Sequence, residues 1–245
     1  MEHSNITNPS RIGDDNDISA DVSAPSVGEW DTTSQEQATD RTADHVHKTG
    51  TTTVGLTTTD GVVIATDMRA SLGGSFVSSK DVQKVEQIHP TAAITLVGSV
   101  GGAQSFIRNL RSEVNLYESR RGERMNIEAL ATLAGNFARG GPFAAINPVL
   151  GGVDEQGSHV YSIDPAGGVM RDEYTVTGSG MTVAYGTLEN NYEPDLSNDE
   201  ATRMAASAVQ AAVERDAGSG NGVYLAEITD TDVDIHGHTD FSEVL

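Results

Sequence analysis

The chain has 245 residues, with 15 lysines and arginines against 36 aspartates and glutamates and a formal net charge of −21. That balance argues against nucleic acid or an anionic membrane as partner, because phosphate binding needs clustered bases. With no cysteine in the chain, disulfides, zinc–thiolate sites and cysteine nucleophiles are excluded. The length suits one large domain or two small ones. Residues 1–50 hold ten acids and three bases, so the acid is spread along the chain. A DNA mimic would need an acidic block, and none stands out. A high-salt cytoplasm, where screening removes self-repulsion, fits better. Lysine scarcity agrees: Lys48, Lys80 and Lys84 are all there are. No run approaches the ~18 apolar residues of a membrane span. The first ten residues lack the apolar core of a secretory signal, so a cytoplasmic protein is expected.

Residues 1–49 are polar, with isolated apolar residues such as Ile18 and Val22. They cannot bury enough surface to offset their ordering entropy and read as disordered. From Thr51 the pattern changes. Val54 and Leu56 alternate, Asp60-Gly61 reads as a two-residue hairpin turn with positive φ, and Val62, Ile64 and Ala65 continue on a second strand. The hairpin brings Thr51 and Asp67 into one neighbourhood without fixing their faces. Residues 68–83 read as loop with a short strand at Phe76-Val77. Lys84 to Ile88 and residues 92–97 read as strands, the second ended by Gly98. Phe106, Leu110, Val114 and Tyr117 fall at helical spacing up to Gly122, and a second helix from Ile127 stops at Gly140-Gly141-Pro142. Strands 148–153 and 158–163 form a hairpin, followed by a turn at 164–168 and an extended run from Glu173 to Val176. A short helix holds Val183 to Leu188. Ser197 and Glu200 form a capping box that opens a third long helix. Val223 to Ile228 and Val233 to Ile235 close the sheet, and His236-Gly-His238 reads as a solvated tail, weak as a metal motif. Strands, helices, strands, helices, strands with short hairpins suggest an α+β layered fold.

A threonine hydroxyl is a poor nucleophile until a base takes its proton. A free N-terminal threonine carries its own base, an α-amine titrating near ~7.7–8.0. Thr51 gains that amine only if the Gly50–Thr51 bond is cut, and Gly50, without a side chain, suits the cut. Gly-Thr-Thr-Thr alone is also what ordinary strands look like. A lysine nearby would stabilise negative charge and depress the amine; Lys80 and Lys84 are the two after Thr51. Asp67 could hold it, and Gly98 could offer a backbone N–H to an oxyanion.

Thr51-Thr-Thr-Val-Gly, Val62-Val-Ile-Ala-Thr-Asp67, Lys84-Val-Glu-Gln-Ile, Gly98-Ser-Val-Gly-Gly-Ala-Gln104, Gly178-Ser-Gly180 and Arg215-Asp-Ala-Gly-Ser-Gly220 resemble the β subunit of the archaeal 20S proteasome. The resemblance spans about residues 50–230, and the lysine-poor, acidic composition suggests a haloarchaeal version. It implies an N-terminal nucleophile hydrolase fold, a four-layer αββα sandwich with two antiparallel sheets between helix layers. It implies a propeptide, residues 1–50, removed autocatalytically, and a catalytic domain, residues 51–245, ending in a short acidic tail. Thr51 would be nucleophile and base, Asp67 and Lys84 its charge partners, and Gly98 the oxyanion donor. Ser179, Asp216 and Ser219 would support the amine. One extra residue between Asp67 and Lys84 makes Lys80 the second choice for the lysine. Ala70, Ser71, Val82, Leu96 and Val100 would line an apolar, uncharged substrate pocket, implying cleavage after large apolar residues. The implied partners are α subunits and other β subunits in stacked heptameric rings, an unfolding ATPase, and unfolded polypeptide as substrate; no cofactor and no metal are implied. Another N-terminal nucleophile hydrolase, or a silent structural ring subunit, are the rival readings.

Overall fold

Alternating apolar residues make the first two runs after Thr51 into paired strands. The computed structural model of the chain describes residues 50–72, 75–98, 100–139 and 146–245. Strands β1 (Thr52–Thr57) and β2 (Val62–Asp67) pair antiparallel, with Thr53 opposite Thr66 and Thr57 opposite Val62. The turn differs from the expected one. Neither Asp60 nor Gly61 has a positive φ. Thr58 instead accepts the N–H groups of Asp60 (3.3 Å) and Gly61 (2.8 Å) on its hydroxyl, and its own N–H donates to the Gly61 carbonyl (2.9 Å). A side-chain hydroxyl thus organises a longer loop. Gly61 is needed for space: a Cβ there would lie 2.0 Å from the Ile228 carbonyl oxygen.

The next elements are β3 (Ala70–Leu72), β4 (Phe76–Ser79), β5 (Val85–His89) and β6 (Ala92–Thr95), then helices α1 (Val100–Arg121) and α2 (Ile127–Ala138). The expected stop of the second helix at residues 140–142 lies outside the described residues. Strands β7 (Val149–Asp154), β8 (Gly157–Ile163), β9 (Val169–Asp172) and β10 (Tyr174–Gly178) follow, then α3 (Met181–Asn191), α4 (Asn198–Val213), β11 (Val223–Ile228) and β12 (Val233–His238). The capping box at Ser197 and Glu200 has both of its bonds.

Two five-stranded antiparallel sheets result, ordered β10-β1-β2-β11-β12 and β5-β6-β7-β8-β9, with β3 and β4 as a separate pair. Three apolar layers join them. Val62, Ile64, Val85, Val149, Val160 and Ile228 pack between the sheets. Phe106, Leu110 and Leu130 of α1 and α2 cover the second sheet through Ile94 and Leu150. Leu188, Ala205 and Val209 of α3 and α4 cover Val54, Leu56, Val63 and Ala65 of the first. The order is helices, sheet, sheet, helices: the αββα sandwich.

The chain end is a correction. His236 and His238 belong to β12, where His238 pairs with Val223, and Phe241 and Val244 beyond it pack against the α4 layer. A Tyr224–Gly237 pairing carries the strand past the alternation at Ile235, where the apolar signal had ended.

Candidate active site

In the first sheet the start of β1, the end of β2, the end of β10 and the start of β11 share one edge, because Thr52 faces Gly178 and Asp67 faces Val223. Antiparallel pairing thereby gathers Thr51, Asp67, Ser179 and the segment 216–220. The second sheet adds Lys84, immediately ahead of β5.

These side chains are out of water. Thr51 is 1 % exposed, Asp67 0 % and Lys84 4 %. Asp67 Oδ1 accepts from Thr51 Oγ1 (3.0 Å), the Thr52 N–H (3.0 Å) and Lys84 Nζ (2.7 Å). Its Oδ2 accepts the N–H groups of Arg69 (3.0 Å) and Gly220 (2.8 Å). Lys84 Nζ also donates to Thr51 Oγ1 at 3.1 Å. Burial pushes the Lys84 amine below its ordinary 10.5; the Asp67 carboxylate pulls the other way without cancelling it. Lys80, the alternative lysine, is exposed.

A second chain of bonds reaches Thr51 from the other side. The Thr51 N–H donates to Ser179 Oγ (3.1 Å), and Ser179 donates to Asp216 Oδ2 (2.6 Å). Ser219 donates to that same oxygen (2.6 Å) and shares a hydrogen bond with the Thr52 hydroxyl (2.8 Å). Thr51 therefore has a lysine and a carboxylate on its hydroxyl and a serine–aspartate relay on its nitrogen. That set can activate an oxygen nucleophile and hold an amine.

Sequence reasoning missed Thr52, Arg69 and Gly220, which hold Asp67 through backbone N–H groups. Backbone donors have no residue signature. The Arg69 guanidinium adds bonds to Asn221 Oδ1 and the Ala217 carbonyl (both 3.1 Å), and Asn221 has φ +71°.

A cavity of about 360 Å³ opens beside Lys84, and Gly98, Ala70, Val82 and Leu96 line it. Gly98 has φ +106° and stands two residues ahead of α1, near the positive end of that helix dipole. The cavity wall is not uncharged. Glu86, Gln104, Arg108 and Arg111 share it, with Arg111 and Glu86 paired at 2.9 Å. The residues that the resemblance named for the pocket carry no charge, and the polar side chains come mainly from α1, which runs along the same cavity. Ser71 is not on that lining; its hydroxyl accepts the Gly50 N–H (3.2 Å). The side chain of Val100 lies outside the described residues.

A family model described as proteasome subunit matches residues 47–228, and the chain belongs to that family. A proteasome subunit beta of Natronomonas pharaonis is 76% identical over 202 residues, 82% of this chain and 84% of its own length. A proteasome subunit beta 1 of Haloterrigena turkmenica is 75% identical over 211 residues, 86% and 87% of the two chains. A proteasome subunit beta 1 of Haloarcula marismortui is 67% identical over 229 residues, 94% and 93%; a match that long takes in most of residues 1–50. Within the family the chain is thus of the β type, the catalytic kind of the 20S core, in its haloarchaeal form.

Proposed function

We propose that the chain is a threonine-type endopeptidase subunit, made as a precursor whose residues 1–50 are removed at Gly50–Thr51. The observation that carries this reading is the position of Thr51 Oγ1 between Lys84 Nζ (3.1 Å) and Asp67 Oδ1 (3.0 Å), directly after a glycine.

In the precursor the Thr51 nitrogen is an amide and has no basicity. Lys84, its amine lowered by burial, is the base for self-cleavage: neutral, it takes the Oγ proton across the contact through which the ammonium otherwise donates. Oγ adds to the Gly50 carbonyl carbon, and the Gly98 N–H receives the oxyanion. The C–N bond breaks, the proton passes from Lys84 to the leaving nitrogen, and an ester joins Gly50 to Thr51 Oγ. Water hydrolyses that ester, releasing the Gly50 carboxylate and restoring the hydroxyl. The freed α-amine then lies against Ser179 and serves as base for substrates. The substrate carbonyl takes Gly50's place, with its preceding side chain in the cavity beside Lys84.

By family, the subunit works in rings stacked with α subunits, fed with unfolded polypeptide by an ATPase. The net charge of −21 makes close approach of copies salt-dependent. Assembly is expected to weaken as salt falls toward ~0.1 M, where charges about 10 Å apart still repel.

The test is an intact mass and peptidase assay on particles assembled with α-type partners. A subunit beginning at Thr51, with activity lost in Thr51→Ala, is expected. Active particles built from Thr51→Ala alone would contradict the mechanism.

A further inference from the structure

Gly50 is the residue that leaves with the leader, and the fold holds it as closely as it holds Thr51. Its N–H donates to Ser71 Oγ at 3.2 Å. Ser71 is 1 % exposed, on β3, and that bond is the only hydrogen bond of its hydroxyl among the described residues. On another side Gly50 packs on Gly218. A Cβ on Gly50 would lie 2.2 Å from Gly218 Cα, and a Cβ on Gly218 would lie 2.5 Å from Gly50 Cα. The following N–H, that of Thr51, is bonded to Ser179 (3.1 Å). The carbonyl that must be attacked therefore sits between two anchored N–H groups, above a floor with no side chain.

We propose that Ser71 is a positioning residue for leader removal: its hydroxyl fixes the Gly50 N–H, and with it the orientation of the Gly50 carbonyl toward Thr51 Oγ, while Gly218 sets how deeply Gly50 sits. The inference rests on the self-cleavage reading above and adds to it a residue outside the Thr51–Asp67–Lys84 set. Its physical logic is a contrast between leader and substrate. Gly50 has no side chain to place in the cavity lined by Ala70, Val82 and Leu96. Its register must come from backbone anchors. A substrate residue with a side chain has the cavity as well, so it depends less on the Ser71 hydroxyl. A misplaced reacting carbonyl slows attack even when the nucleophile is intact.

The experiment follows leader release by intact mass over time in particles assembled from full-length chain and α-type partners. Ser71→Ala is expected to slow release about three- to tenfold, the loss expected from one hydrogen bond. Ser71→Thr, which keeps the hydroxyl, is expected to restore the rate to within about twofold. Once release is complete, peptidase kcat/KM of the Ser71→Ala particles is expected to fall by a smaller factor than the release rate did. A variant that folds independently of Ser71 tests the floor. Gly50→Ala should slow release, yet any particle that finishes is identical in sequence to the mature wild type, so its peptidase activity reports only the mature site. Ser71→Ala releasing the leader at the wild-type rate, Ser71→Thr as slow as Ser71→Ala, or equal losses in release and hydrolysis would overturn the inference and leave the self-cleavage reading standing. A wild-type chain that keeps residues 1–50 in active particles would overturn that reading and this inference together.

Discussion

At one end of the first sheet Asp67 and Lys84 are buried and bonded to each other at 2.7 Å; at the other end Asp172, Glu173, Glu189 and Asp195 stand exposed around a groove of about 990 Å³. The same strands run between them: β1 starts beside Thr51 and ends at Thr57 on the rim of that groove, about 20 Å away at the rise of a strand. The far groove is larger than the cavity beside Lys84, at about 990 against 360 Å³. Its acids are solvated, and its one marked perturbation is Tyr174, pushed up to about 12 by the hydrogen bond its hydroxyl donates to Glu189. What separates the two ends is desolvation. Ionisable groups taken out of water and bonded to one another mark chemistry, whereas a wide groove of hydrated acids carries charge only.

The sharpest way to break this comparison is to remove the proposed nucleophile. Thr51→Ala is expected to lower peptidase activity by about a thousandfold or more, as loss of a covalent nucleophile does. Thr51→Ser should keep a measurable part of it, since hydroxyl and amine survive. Steady-state assays with a fluorogenic peptide check both. Next comes Lys84→Ala. It removes the proposed base for self-cleavage and leaves Asp67 buried without its cation, so leader release should stop and the denaturation midpoint should fall. Breaking a buried pair costs about 3–5 kcal/mol; the three backbone donors to Asp67 other than lysine and the hydroxyl put this case near the lower figure.

A pH series sharpens the same end. In the proposed self-cleavage the neutral form of Lys84 is the active one, and burial lowers its pKa from 10.5. Leader release should therefore be slow at low pH, rise as pH passes through the lowered value, and level off before 10.5. The stability term has the same sign: between the folded and unfolded values the unfolded chain binds more protons, so stability rises with pH across that window. A release rate independent of pH would remove Lys84 from the role of base.

Much of the fold was legible in the sequence because alternation and helical spacing are written in side chains: Val54 and Leu56, Phe106 and Leu110, the Ser197–Glu200 box. The spaced motifs likewise named Thr51, Asp67 and Lys84. Features written in backbone were not legible. Nothing in the residue types says that Thr52, Arg69 and Gly220 turn their N–H groups to Asp67, or that Thr58 replaces a tight turn. The charged side of the cavity was missed because it depends on where α1 lies against β5. The last strand was read only as far as Ile235; its extension through His236 and His238 was missed because those residues pair through backbone and lack the apolar alternation, so they looked like tail.

The smallest effect is expected at the far end. Glu189→Gln should leave kcat/KM within about twofold and change stability by no more than about 0.5 kcal/mol, as exposed substitutions usually do. A large loss of activity there would mean that the two ends are not separable in the way described.

The most direct test of the central claim is the intact mass of the subunit recovered from assembled, active particles, wild type beside Thr51→Ala. A nucleophile that first frees its own amine predicts a wild-type subunit beginning at Thr51 and a Thr51→Ala subunit still carrying residues 1–50. A Thr51→Ala subunit, assembled without any wild-type copy, that nevertheless begins at residue 51 would show that another agent makes the cut and would contradict the account.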